Sequence, residues 1–178
     1  MIKAVLYIAQ SLDGFIARPD GNLDWLTSTP NPQTGDYGYA DLFSSVGTII
    51  MGRKTYEAII GFGLDWPYSD YDTYIVTKNS NLTVHTPNTS PLTGNLKDFV
   101  TELKKTAQKD IWLVGGGQVI TEFINEDLLD KMIIAIMPKI IGEGLPLFAH
   151  KPKETHWKLI EAKPFDTGVV SLTYEKAN

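Results

Sequence analysis

The chain has 178 residues, 43% hydrophobic and 21% charged, with a net charge of −5. That suits one soluble domain with a sizeable core and argues against nonspecific binding to nucleic acid or anionic membrane. It contains no cysteine, which excludes disulfides, thiolate zinc sites and cysteine nucleophiles.

The opening stretch, "MIKAVLYIAQSLDGFIA", is broken by Lys3, Gln10 and Asp13. It is too short and polar to span a membrane and lacks a signal-peptide cleavage site, so the default expectation is a cytoplasmic protein. Residues 2–9 form a near-continuous apolar run, as expected of a central strand buried on both faces. A loop rich in Gly, Pro, Asn and Asp extends to about residue 35, a length associated with function. Tyr39, Leu42, Phe43 and Val46 then fall at helical spacing. Residues 48–52 read as a strand, 53–60 as a short helix, 73–77 as a strand and 82–85 as a weaker one.

Asn95 is placed to cap a helix whose apolar stripe is Leu96, Phe99, Val100, Leu103 and Ala107. Residues 110–114 read as a strand, and Val119, Ile120, Phe123 and Ile124 mark a helix after three consecutive glycines. From residue 131 the pattern contains strands only: 131–137, about 155–163 and about 168–175. Strands alternating with helices imply a parallel sheet, and the helix-free end implies antiparallel strands along one edge.

Three strand ends carry residues suited to a phosphorylated ligand. "MGRKT" sets Arg53, Lys54 and Thr55 at a helix start, "VTKN" sets Thr77, Lys78 and Asn79 after the next strand, and "VGGG" offers bare backbone N–H groups. The glycines fit neither G-x-G-x-x-G, because residue 120 is Ile, nor a P-loop, because no Gly-Lys-Ser/Thr follows. His85, His150 and His156 are scattered with no i, i+4 pair, so no metal site is expected.

Together "MGRKTYEAI" and "LVGGGQVITEFI" resemble the two nucleotide-binding signatures of the dihydrofolate reductase superfamily. "SLDGFIA" and "PKIIGEGLPLF" are closer to its riboflavin-biosynthesis reductase branch, the C-terminal half of the bifunctional deaminase-reductase and its stand-alone bacterial relatives. The resemblance implies a dihydrofolate reductase-like three-layer α/β sandwich over residues 1–178, with a mostly parallel eight-stranded sheet, antiparallel C-terminal strands and about four helices. It also implies an NADPH-dependent reductase. On this sequence Gly52, Arg53, Lys54 and Thr55 would hold phosphate, and Thr77, Lys78 and Asn79 would surround the adenosine 2′-phosphate. Val114, Gly115, Gly116, Gly117, Gln118 and Val119 would line the pyrophosphate and nicotinamide side, with Ala9 and Ile16 against the nicotinamide. The Gly115–Gly116 peptide would be cis. Members of the branch commonly form homodimers, which no stretch of this sequence shows by itself.

The substrate side is less determined. Asp36 falls where the dihydrofolate reductases keep their acid, yet Asp is also a preferred helix N-cap, and one residue can do both. Asp13 and Asp24 are rival acids, Asp13 doubling as a turn residue; Trp25 is a stacking face or a loop anchor, and Tyr39 is a further substrate contact. The strand that carries a threonine in dihydrofolate reductases reads "MIIAIM" here. Residues 19–52 contain no Lys, Arg or His to meet a phosphoribosyl group. The expected partner is a small planar heterocycle or a ribosylamino derivative, as in 5-amino-6-(5-phosphoribosylamino)uracil reductase. Reduction of dihydrofolate and a non-catalytic NADPH-binding sensor are the alternatives.

Overall fold

The computed structural model describes residues 1–33 and 35–177. Its core is an eight-stranded sheet in the order β5-β4-β3-β6-β1-β7-β10-β9. The strands are β1 (Ala4–Gln10), β3 (Val46–Gly52), β4 (Asp72–Val76), β5 (Thr89–Leu92), β6 (Asp110–Gly115), β7 (Lys131–Ile136), β9 (Trp157–Pro164) and β10 (Val170–Lys176). The first six run parallel; β10 is antiparallel to β7, and β9 to β10. A separate ribbon pairs β2 (Phe15–Ala17) with β8 (Leu145–Pro146).

The apolar runs are continuous because both faces of the central strands are covered. Leu6, Ile50, Ile111 and Leu113 point to one face, beneath α4 (Leu96–Thr106) and α5 (Gly117–Asn125). Their neighbours Val5, Ile49, Met51 and Trp112 point to the other, beneath α2 (Tyr39–Ser45) and α3 (Arg53–Gly61). The period-2 alternation thus feeds two cores and makes three layers. Asn95 caps α4 as its sequence position demands, accepting from the Asp98 N–H at 3.1 Å.

Three local expectations change. The weak strand at 82–85 is irregular chain: Leu82 and Val84, two residues apart, tuck into the α2–α3 core from one side. The strand paired with β4 is instead 89–92, on the sheet edge where Pro91 is tolerated. The long first loop contains the one-turn helix α1 (Asp24–Thr27), making five helices among the described residues, and the two short strands of the ribbon are too brief to leave a period.

Right-handed crossovers fix the site. The chain moves from β3 through α3 to β4 in one direction, and from β6 through α5 to β7 in the other. Hence α3 and α5 lie on opposite faces, with their N-termini flanking the junction of β3 and β6. This is the switch point at which open α/β sheets bind ligands.

Candidate active site

At that junction the two helices begin without side-chain caps. Gly52 and Gly116 occupy their N-cap positions, and neither helix has a side-chain capping hydrogen bond, in contrast to α4. The first-turn N–H groups of both helices therefore remain available to an anion. The two turns also touch. A Cβ on Gly116 would lie 3.2 Å from Thr55 Oγ1 and 3.9 Å from Gly52 Cα, and one on Gly52 would lie 3.1 Å from a Val119 methyl.

The triple glycine has separate causes along its length. Gly115 and Gly116 make the turn with φ of 153° and 93°. At Gly116 that backbone strains any L side chain. Gly117 sits under the segment after β8, where a Cβ would meet the Pro146 carbonyl oxygen at 2.5 Å. No peptide bond among the described residues is cis. The Gly115–Gly116 bond is thus trans, contrary to the expectation above, because positive φ at two glycines already reverses the chain.

Around this turn Arg53 opens α3, its Nη1 donating to Glu57 Oε1 at 2.5 Å. Lys54 is exposed beside it. One strand over, Thr77 Oγ1 accepts from the Asn79 N–H at 3.0 Å and Asn79 Oδ1 from the Asn81 N–H at 3.0 Å, a compact turn that leaves Lys78 exposed. Because β4, β3 and β6 are adjacent and parallel, the three sequence motifs meet at one edge. Val114 packs toward the α2–α3 core and Val119 is buried in the other. Gln118 is paired through Nε2 with His150 Nε2 at 2.9 Å. On the next strand, β1, Ala9 packs against the cluster of Trp25, Ala135, Met137 and Val169, and on the ribbon strand β2 Ile16 packs against the α4–α5 core.

The candidate acids are committed to local geometry. Asp36 is exposed and accepts from the Gly38 and Ala40 N–H groups at 3.1 and 2.7 Å, fixing the start of α2. Asp13 accepts from the Ile141 and Gly142 N–H groups at 3.3 and 2.8 Å, pinning the loop after β1 to the loop before β8. Hydrogen bonds from Ser11 and from those amides hold its carboxyl below the usual range. Asp24 is bidentate with Arg18, at 2.6 and 3.0 Å, and the ion pair lowers its pKa. Trp25 is 3% exposed, with its indole N–H buried and unpartnered among the described residues.

Beside these, the α2 face of the sheet carries aromatic surface that the sequence reading underestimated. Tyr39 packs tilted against Phe43 at 4.3 Å between ring centroids, and both lie within about 6 Å of Trp112. Tyr7 joins them at 6.1 Å from Tyr39. Its hydroxyl lies 3.4 Å from the Tyr37 carbonyl, a long contact, at the wall of a 410 Å³ cavity floored by Ile133, Ser171 and Thr173. Burial first, and then the negative charge of Asp36, push the Tyr7 phenol up to about 12, so it is a hydrogen-bond donor at neutral pH. The one signal for Tyr7 in the sequence is a hydroxyl inside an otherwise aliphatic run.

This mixed sheet, doubly wound about β3 and β6 with uncapped helix starts at the junction, is the dihydrofolate reductase-like fold. The dihydrofolate reductase of Enterococcus faecalis superimposes with a TM-score of 0.70, covering 99% of this chain and 97% of its own; at 16% identity the match shows the fold alone. The model of the RibD C-terminal domain matches residues 68–171, and the chain belongs to that family of reductase-like domains. A Shewanella sp. PV-4 protein assigned to riboflavin biosynthesis is similar throughout, at 31% identity and a TM-score of 0.87, covering 99% of this chain and all of its own. So is the uncharacterized Bacillus subtilis protein YwjB, 36% identical over 98% of both chains. Among the described residues no helix is long and apolar enough to cross a membrane.

Proposed function

We propose that this protein is an NADPH-dependent reductase that delivers hydride to a small planar heterocycle or its ribosylamino derivative. The observation that carries the reading is the meeting of two uncapped helix N-termini across glycines whose Cβ atoms would fill the gap, ringed by Arg53, Lys54 and Lys78. That cradle fits a dinucleotide: helix N–H groups take the pyrophosphate, and the cations of the β3 and β4 ends take the 2′-phosphate. The nicotinamide supplies the hydride when bound. Ala9 and Ile16 form its apolar wall, and Val114 continues that wall from β6.

The chain's remaining work is orientation and proton supply. Tyr39, Phe43 and Tyr7 offer ring faces and edges to a planar substrate. Asp36 serves as both the start of α2 and the proton source, with Asp13 and Asp24 keeping the surrounding loops in place and Trp25 anchoring them. A homodimer in the cytoplasm is the assembly we expect.

The test is a screen of pterins and riboflavin precursors for substrate-dependent oxidation of NADPH. Turnover with one of them is the expected result. NADPH binding without turnover by any would favour a cofactor sensor. One observation lends that second reading weight: both Asp36 oxygens are already engaged by backbone N–H groups.

A further inference from the structure

Arg53 does not wait free at the head of α3. Its Nη1 is bonded to Glu57 Oε1 one turn down the same helix, with the two side chains 41% and 46% exposed. Lys54 and Lys78, the other cations of this edge, take no part in the ion pairs found among the described residues.

Helix stability is a poor reason for the pair. An i, i+4 ion pair contributes a few tenths of a kcal/mol, and the better order places the acid toward the N-terminus. Here the cation is N-terminal, at the end where the helix dipole disfavours positive charge. The arrangement makes sense instead if Arg53 has a second partner beyond the helix start and Glu57 holds it until that partner arrives.

We propose that Glu57 is a displaceable counterion for Arg53 that holds down the affinity of this edge for a 2′-phosphate. The inference rests on the dinucleotide reading given above. An anion that captures the guanidinium must outcompete a carboxylate already in place. A singly charged pyrophosphate unit or a free hydroxyl gains little by that exchange. A 2′-phosphate, close to dianionic at neutral pH and with three acceptor oxygens, gains more. After the exchange Glu57 remains one turn away, and its repulsion limits how tightly the phosphate is held. NADPH thus binds more weakly than the cations alone would allow, while the resting site presents one fewer uncompensated charge to other anions.

The experiment measures dissociation constants for NADPH and NADH at low and high salt in wild type, Glu57→Gln and Glu57→Asp. Both positions are exposed, so the variants keep the wild-type melting temperature closely. Glu57→Gln should bind NADPH about three- to tenfold tighter at low ionic strength, a gain that fades at high salt, with NADH changed less than about twofold. Glu57→Asp, which keeps the charge and shortens the reach, should fall between the two. Unchanged or weaker NADPH binding by Glu57→Gln, or an equal gain for both cofactors, would overturn the counterion role and leave the reductase reading standing. A wild-type protein with no affinity for NADPH would overturn the dinucleotide reading, and this role with it.

Discussion

The edge where β4, β3 and β6 end and the sheet face beneath α2 are made of opposite materials. The edge is backbone: glycines at 52 and 115–117, uncapped N–H groups, and a few cations at its rim. The face is side chain: Tyr7, Tyr39, Phe43 and Trp112, linked by ring contacts of 4.3 to 6.4 Å between centroids and drawn from β1, α2 and β6. A site made of backbone suits a ligand part that is the same for every enzyme using it. A site made of side chains can be refitted to a new substrate without disturbing the first. On the proposed reading, that division would let one fold take different substrates.

The comparison can be broken most directly at Asp36, which belongs to the side-chain half. Asp36→Asn keeps one of the two acceptor oxygens, so the melting temperature should fall slightly while NADPH affinity stays near wild type. Turnover of the substrate found by screening should fall about a hundredfold, with an altered pH–rate profile. Normal turnover with a lower melting temperature would reduce Asp36 to a helix cap. In the backbone half, Gly116→Ala should cost about 1–3 kcal/mol of stability from the positive φ and the 3.2 Å approach to Thr55. NADPH affinity should drop with it, by more than the added methyl suggests; thermal unfolding with and without NADPH reads both. Arg53→Ala should weaken NADPH about tenfold by calorimetry, the lower end of a charge-assisted contact because the guanidinium is exposed, and leave NADH nearly unaffected. An equal loss for both cofactors would place Arg53 on shared contacts.

Much of this was legible in the sequence, and the reason is locality. Two of the three phosphate-suited motifs are a strand end followed directly by its helix, and the third is a strand end followed by a turn, so their residues are consecutive and their spacing is visible. The face beneath α2 joins residues 7, 39, 43 and 112, whose proximity depends on the strand order and not on any local period. Asp13 likewise reads as a turn residue until its partner at position 142 is known. The irregular chain at 82–85 differs from the expectation because tertiary packing, not local pattern, decides it.

The smallest expected effect lies away from both halves and serves as a control. Asp127 is bound by Lys153 and Lys176, each at 2.7 Å, which hold its carboxyl down to about 2. A depressed pKa contributes stability above the ordinary carboxylate range and loses it as pH falls toward 2. Asp127→Asn should therefore flatten the acid limb of the stability profile slightly, less so in high salt, while leaving NADPH affinity and turnover unchanged.

The position of β1 at the centre of the sheet sets the order in which the molecule can be made. Ala4 pairs with Ile111, and Val5 with Lys131. Both partners leave the ribosome more than a hundred residues after β1 does. At ordinary synthesis rates that gap lasts about 5–25 s. Throughout it an apolar strand meant for full burial has neither neighbour. Fragments ending before β6 leave it unpaired on both sides and should be insoluble, and full-length yield should depend on how well the cell shields β1 until β6 and β7 are translated.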